Sequence, residues 1–225
     1  MGRWLRRQRA SGPQEAGEAY DSLAAAYPPH AHNLLMQMEE EAVLGLLGEV
    51  RGRRCLDLGC GTGRYLRILA EAGASRAFGA DLSAPMLERA RAGRFGVVRA
   101  EAARLPFADG SFDIVVCGLV VGHVAALDAV AAEAGRVLAA GGAFVYSDVH
   151  PSGTLAGWER SFRDAQGRPL SVRQHLHLYE DHLRACRGAG LVVEDLKEPR
   201  IQVKSPWRGW PAVLVVRAVR PRGPR

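Results

Sequence analysis

The chain has 225 residues, 48% of them apolar and 24% charged. That suits one domain with a large core and excludes a collagenous, low-complexity or disulfide-framework protein. The formal net charge of +6 is gathered at the ends, in Arg3, Arg6, Arg7 and Arg9 and in Arg217, Arg220, Arg222 and Arg225, so the body is close to neutral. A basic arm can meet phosphates or an anionic surface, or simply be a solvated end. No apolar run approaches the roughly 18 residues needed to cross a bilayer. The first residues lack the apolar stretch of a secretory signal, so a cytoplasmic protein is expected. Cys55, Cys60, Cys117 and Cys186 are far apart with no CxxC pair, which favours reduced structural thiols over a zinc site or disulfides.

In chain order, residues 1–19 read as a flexible basic arm. Tyr20–Tyr27 suggests a short helix stopped by Pro28-Pro29. Asn33–Gly48 carries apolar residues at helical spacing. Apolar runs suggest strands at Arg54–Leu58, Arg76–Asp81, Gly96–Ala100, Phe112–Cys117, Ala143–Val149, Leu191–Lys197 and Ala212–Val219. Helices fit Tyr65–Ala72, Ala84–Arg91, Ala126–Val137 and Tyr179–Ala189. This alternation predicts an α/β fold: a doubly wound, mostly parallel seven-stranded sheet with helices on both faces. A single domain over 20–220 is expected, with a helical cap at 20–50, a lid at 151–178 and a tail at 221–225. Such sheets bind ligands at the carboxyl ends of their strands.

The first strand runs into Asp57-Leu58-Gly59-Cys60-Gly61-Thr62-Gly63-Arg64. Glycine at every second position lets the backbone turn tightly and approach a ligand, and the helix start behind it favours electronegative groups. A dinucleotide fingerprint would have its third glycine where Arg64 stands, which argues against nicotinamide and flavin cofactors. The second strand ends at Asp81, placed to accept hydrogen bonds from ribose hydroxyls. Asp81 also fits an N-cap of the next helix, a role open to Ser83 as well.

The segment Leu56–Leu66 resembles motif I of the class I S-adenosylmethionine-dependent methyltransferases, near the ubiquinone/menaquinone-methylase-like branch. Gly79–Leu87, Leu105–Asp113 and Gly135–Gly142 resemble three further motifs of that family in the right order, with Ala140 where proline is usual. The resemblance implies a Rossmann-like methyltransferase fold with S-adenosylmethionine as cofactor. It would place Gly59, Cys60, Gly61 and Gly63 around the methionine part, with Asp57 at its amino group and Asp81 on the ribose. Glu101 and the Ala102 backbone would meet the adenine, flanked by Leu82 and Met86, and Cys117 would stand beside the cofactor.

Methyl transfer from a sulfonium needs alignment and exclusion of water more than a catalytic triad. A base is required only for an acceptor that arrives protonated. His123, after the fourth strand, is the first candidate for that base, or else a structural histidine of the following turn. Asp148 and His150, where the fifth strand ends, form a candidate base–orienter pair or else stabilise the turn before Pro151. Tyr20, Tyr27, His30 and His32 are candidates for the acceptor pocket. His175 and His177 would share one face of a strand but lack a third ligand, so no metal is expected. A small-molecule methyl acceptor is the leading expectation. A tRNA-modifying enzyme of the wobble-uridine carboxymethyl type, gripping phosphates through the basic tails, is the alternative. A non-catalytic cofactor-binding domain is the third reading.

Overall fold

The computed structural model describes residues 12–164 and 166–223, so the basic arm through Arg9 lies outside the described residues. Five parallel strands form the centre of the sheet: β1 (Arg54–Leu58), β2 (Arg76–Asp81), β3 (Gly96–Arg99), β4 (Phe112–Gly118) and β5 (Leu138–Val149). A hairpin of β6 (Arg160–Arg163) and β7 (Pro169–Val172) stands apart from it. The last two strands are β8 (Val192–Lys197) and β9 (Val213–Val219). Across the main sheet the order is β3-β2-β1-β4-β5-β9-β8, with β9 antiparallel to both neighbours. The order reverses between β1 and β4, and a crevice opens at such a switch point.

The helices are α1 (Ala16–Leu23), α2 (Leu34–Leu47), α3 (Arg64–Glu71), α4 (Ala84–Ala92), α5 (Leu127–Val137), α6 (Pro151–Leu155) and α7 (Tyr179–Gly188). Two apolar layers cover the sheet. On one face Leu56, Val115, Phe144 and Leu214 pack with Val130, Ala134 and Ala185 of α5 and α7. On the other, Cys55, Val116, Val145 and Val215 pack with Val43, Leu46 and Leu69 of α2 and α3. The central strands read as unbroken apolar runs because both of their faces are buried.

Two differences from the sequence reading bear on the site. The first helix starts at Ala16 rather than Tyr20, so residues 16–19 are ordered helix rather than arm. The segment 151–178 holds the short α6 and the β6–β7 hairpin, strands of four residues each, too short to leave a periodic pattern. The hairpin is tied to the residues before α1: the Gln14 amide donates to the Ser171 carbonyl at 2.9 Å and the Arg173 amide to the Gln14 carbonyl at 2.8 Å. Ala19, Leu23, Met86, Leu170 and Val172 form a separate small core with Tyr20, Tyr27 and Phe162. Cap and hairpin thus make one roof over the carboxyl ends of β1, β2 and β4.

Two of the basic residues near the other end, Arg217 and Arg220, are absorbed by the fold. Arg217 bonds the α2-terminal carbonyls of Leu46 and Leu47 and pairs with Glu194. Arg220 satisfies the carbonyls of Gly135, Arg136 and Leu138 where α5 ends. Both cap helix ends, which removes them from the phosphate-gripping surface that the tRNA alternative required.

Candidate active site

Beneath the roof lies a cavity of about 640 Å³, within the range of cofactor and ligand sites. The glycine loop makes its floor. The Gly59 and Cys60 amides both donate to the Ala80 carbonyl, at 2.7 and 3.1 Å, binding the end of β1 to the end of β2. Gly59 has φ of +74°, and a Cβ there would stand 2.2 Å from Val120 Cγ2. Only glycine fits that crossing.

Two carboxylates face the floor. Asp81 Oδ2 accepts from the Gly61 amide at 2.8 Å and Oδ1 from the Ser83 amide at 2.8 Å. It therefore fixes the loop and still has free lone-pair directions toward the cavity. The α4 N-cap is Ser83, whose Oγ accepts from Met86 at 3.3 Å, so the capping role open to Asp81 falls to its neighbour. Asp57 is buried, and its Oδ2 has no hydrogen-bond partner among the described residues. Burial pushes its carboxyl up to about 7, against the pull of Arg64. An unpartnered buried carboxylate oxygen is costly, and a ligand ammonium would relieve it. The two carboxylates stand where the sequence expected groups for an amino group and for a ribose. Cys60, Gly61, Leu82, Met86, Glu101 and Ala102 also line the cavity.

The acceptor end is made of long-range contacts. His123, on a single 3-10 turn at Val121–His123, lines the cavity together with Tyr20, Tyr27, Leu119, Val120, Arg173 and His175. His123 Nδ1 lies 3.0 Å from the Arg173 carbonyl, and Nε2 lies 2.7 Å from Arg160 Nη1 and 3.0 Å from the Tyr20 hydroxyl. A carbonyl only accepts and a guanidinium only donates, so Nδ1 carries the proton and the Nε2 lone pair is engaged. Burial, followed by the Arg160 charge, holds the imidazole down at about 3. Burial also keeps the Tyr20 hydroxyl above its ordinary range. Behind them Arg160 forms a buried ion pair with Asp148. Gly122 makes room for that pair, since a Cβ there would meet the Asp148 carboxylate at 2.5 Å.

Several expected residues lie elsewhere. Asp148 and His150 do not pair: Asp148 is taken by Arg160, while His150 caps α6 through Ser152 and contacts Glu198 at 2.7 Å. Gly63 is the left-handed residue that opens α3 and packs on Ala90 rather than lining the cavity. Cys117 is fully buried in the sheet core, because it alternates away from the mouth. His30 and His32 are exposed on the outer side of the cap and do not line the cavity, although the His32 ring touches Tyr27 at 5.3 Å. His177 bonds the Val124 carbonyl at 2.9 Å. Among the described residues no cluster of three metal-ligating side chains exists, and no helix is long and apolar enough to cross a membrane. The contacts of Arg160, a residue of the expected lid, could not be read from the sequence, because its partners lie 12 and 37 residues away.

A methyltransferase-domain family model matches residues 56–146. The crystal structure of an S-adenosylmethionine-dependent methyltransferase from Mesorhizobium loti is similar with a TM-score of 0.69 and 29% identity, covering 81% of this chain and 98% of that one. A malonyl-[acyl-carrier protein] O-methyltransferase of Legionella pneumophila is 29% identical over 162 residues, 69% of this chain and 54% of the relative. A fatty-acid O-methyltransferase of Mycolicibacterium smegmatis is 34% identical over 131 residues, 56% of this chain and 47% of the relative. The chain spans about half the length of these curated relatives. The strand order, the glycine loop and the two carboxylates agree with these matches, and together they support a class I S-adenosylmethionine-dependent methyltransferase.

Proposed function

We propose that this chain transfers a methyl group from S-adenosylmethionine to a small-molecule acceptor, releasing S-adenosylhomocysteine. The observation that carries this reading is the single cavity whose floor holds the unpartnered Asp57 oxygen and Asp81 and whose far end is closed by the roof. When bound, S-adenosylmethionine supplies a methyl carbon already activated by its sulfonium. Asp57 holds the ammonium, Asp81 holds the ribose, and the glycine loop lets both approach. Tyr20, Tyr27 and Phe162 exclude water above, where ring centroids 5.9–6.3 Å apart make a closed aromatic layer. His123, neutral and with both ring nitrogens committed, fixes the acceptor end and takes no proton near neutral pH. Two relatives are named O-methyltransferases, one of malonyl-[acyl-carrier protein] and one of a fatty acid, which supports an oxygen acceptor. We propose the same single-domain plan for the chain, with residues 20–50 as cap and 151–178 as lid.

The test is isothermal titration of the purified protein with S-adenosylmethionine and S-adenosylhomocysteine, with NADH as control. Saturable binding of the first two and none of the third supports the reading. Folded protein that binds neither sulfur compound overturns it.

A further inference from the structure

Between β8 and β9 the chain makes a loop over residues 198–212 that methyl transfer does not use. Its own bonds close it. The Ile201 amide donates to the Trp210 carbonyl at 3.0 Å, the Gly209 amide to the Ile201 carbonyl at 2.8 Å, and Arg200 Nη1 to the Gly209 carbonyl at 2.9 Å. Ile201 roots the loop in the core that also holds Trp158. Trp158 packs on α6, where a Cβ at Gly153 would stand 2.3 Å from its ring. Trp207 and Trp210 complete the cluster, with ring centroids 5.3 and 6.5 Å from Trp158 and 5.0 Å from each other.

Three of the four tryptophans of the chain therefore meet at one place. Trp158 is buried there, whereas Trp210 is 38% exposed, Val203 on the loop 40% and Leu155 on α6 68%. Large apolar side chains gathered in water mark a docking surface. The charges among them are of one sign: from Pro199 to Ala212 the chain has Arg200, Lys204 and Arg208 and no acid. Arg200 closes the loop, while the exposed side chains of Lys204 and Arg208 make no hydrogen bond or ion pair among the described residues. Glu198, just before the loop, is held by His150 and Tyr179. Glu159, exposed and next to Trp158 in the chain, stands against two unpaired cations.

The chemistry of the surface selects its partner. Trp207 meets its two neighbours edge to face, at 77° and 75°, so the rings engage one another rather than offering a platform for nucleic-acid bases. What stays exposed is part of the Trp210 indole, the aliphatic carbon of Val203 and Leu155, and two cations. Indole with aliphatic carbon suits the boundary of a bilayer, where amphipathic rings settle at headgroup depth. Lysine and arginine beside it are attracted by anionic headgroups. The loop also stands at the carboxyl end of the sheet, since the His150 amide donates to the Ala212 carbonyl at 3.1 Å where β5 ends and β9 begins.

We infer that this loop and α6 form a docking surface for an anionic phospholipid bilayer. Trp210, Val203 and Leu155 enter the headgroup boundary, and Lys204 and Arg208 meet the lipid phosphates. The inference is independent of the cofactor reading and adds an orientation to it: the end of the sheet that carries the cavity is turned toward the membrane.

The test is co-sedimentation of the full chain with vesicles of phosphatidylcholine alone and of equal parts phosphatidylcholine and phosphatidylglycerol. Binding to the anionic vesicles is expected to be at least about tenfold tighter and to weaken as salt rises. Lys204→Glu combined with Arg208→Glu, two exposed side chains that bond nothing in the fold, should reduce it by at least about tenfold. In a Trp4→Phe background, anionic vesicles with brominated acyl chains should quench the tryptophan emission of the bound protein. No binding, or equal binding to both kinds of vesicle, overturns the inference. So does binding that the double charge reversal leaves unchanged, which assigns the lipid to the basic arm through Arg9. Bound protein whose emission is not quenched overturns it as well, because the tryptophan cluster then lies away from the lipid. Binding of single-stranded RNA that the charge reversal abolishes, without vesicle binding, makes the surface one for nucleic acid and refutes the lipid assignment.

Discussion

The floor and the roof of the cavity are built in opposite ways. The floor is backbone: glycine-loop amides, the Ala80 carbonyl and one carboxylate that ties β2 to the loop. The roof is side chain: Tyr20, His123 and Arg160, from three segments separated by 103 and 37 residues, meet at one imidazole nitrogen. A backbone floor keeps its shape when side chains change, so it suits a ligand that every member of a family shares. A side-chain roof is re-cut by a few substitutions, so it suits the variable acceptor.

The sharpest way to break this contrast is to remove the ion pair under the roof. Arg160→Met leaves Asp148 buried without its cation and should cost about 3–5 kcal/mol of stability in urea unfolding. Adding Asp148→Asn should recover part of it; a loss below about 1 kcal/mol would show that the pair does not hold the roof.

On the floor, Asp81→Ala removes acceptors for the Gly61 and Ser83 amides and for the ribose. S-adenosylhomocysteine affinity should fall by about 1–3 kcal/mol. Unchanged affinity would exclude the ribose role.

A third comparison uses acid. The His123 imidazole titrates at about 3 when folded, against about 6.5 when unfolded. Between those values the unfolded chain binds the extra proton, so this group's stabilisation is present above 6.5 and is lost as pH falls. The stability difference between wild type and His123→Leu should narrow by about 1.4 kcal/mol from neutral pH to about pH 5.5. A pH-independent difference would mean that the imidazole ionises freely in the roof.

The smallest signal comes from Asp57. Its carboxyl sits up at about 7, so near pH 6 it is mostly protonated and must ionise to meet an ammonium. Binding of S-adenosylhomocysteine near pH 6 should release close to about one proton, read from titrations in buffers of different ionisation enthalpy, and the release should vanish above about pH 8. No release near pH 6 would separate Asp57 from the amino group.

The floor was legible in the sequence because its parts are local. Asp57 and the loop fall within one strand–turn–helix, and the runs at Arg54–Leu58 and Arg76–Asp81 became strands with the same limits. The roof was not. Tyr20 and Tyr27 were placed near the acceptor by resemblance, but Arg160 sits in a four-residue strand, and its role appears only once the hairpin brings it to Asp148. Asp148 and His150 misled for the same reason: β5 ends at Val149, so His150 turns away as the cap of α6 while Asp148 meets Arg160. β5 itself begins five residues earlier than expected, at Leu138, because the Gly141-Gly142 turn signal is taken up as an irregularity inside the strand.

The placement of β9 governs when the molecule can exist at all. It lies between β5 and β8 although it follows both in the chain. As the polypeptide leaves the ribosome, β1 to β5 emerge with the long apolar edge of β5 uncovered, and that edge waits for Val213–Val219 some 70 residues later. An open apolar edge is an invitation to pair with another nascent chain. The period between the synthesis of β5 and the arrival of β9 is therefore when the growing chain is most open to pairing with another.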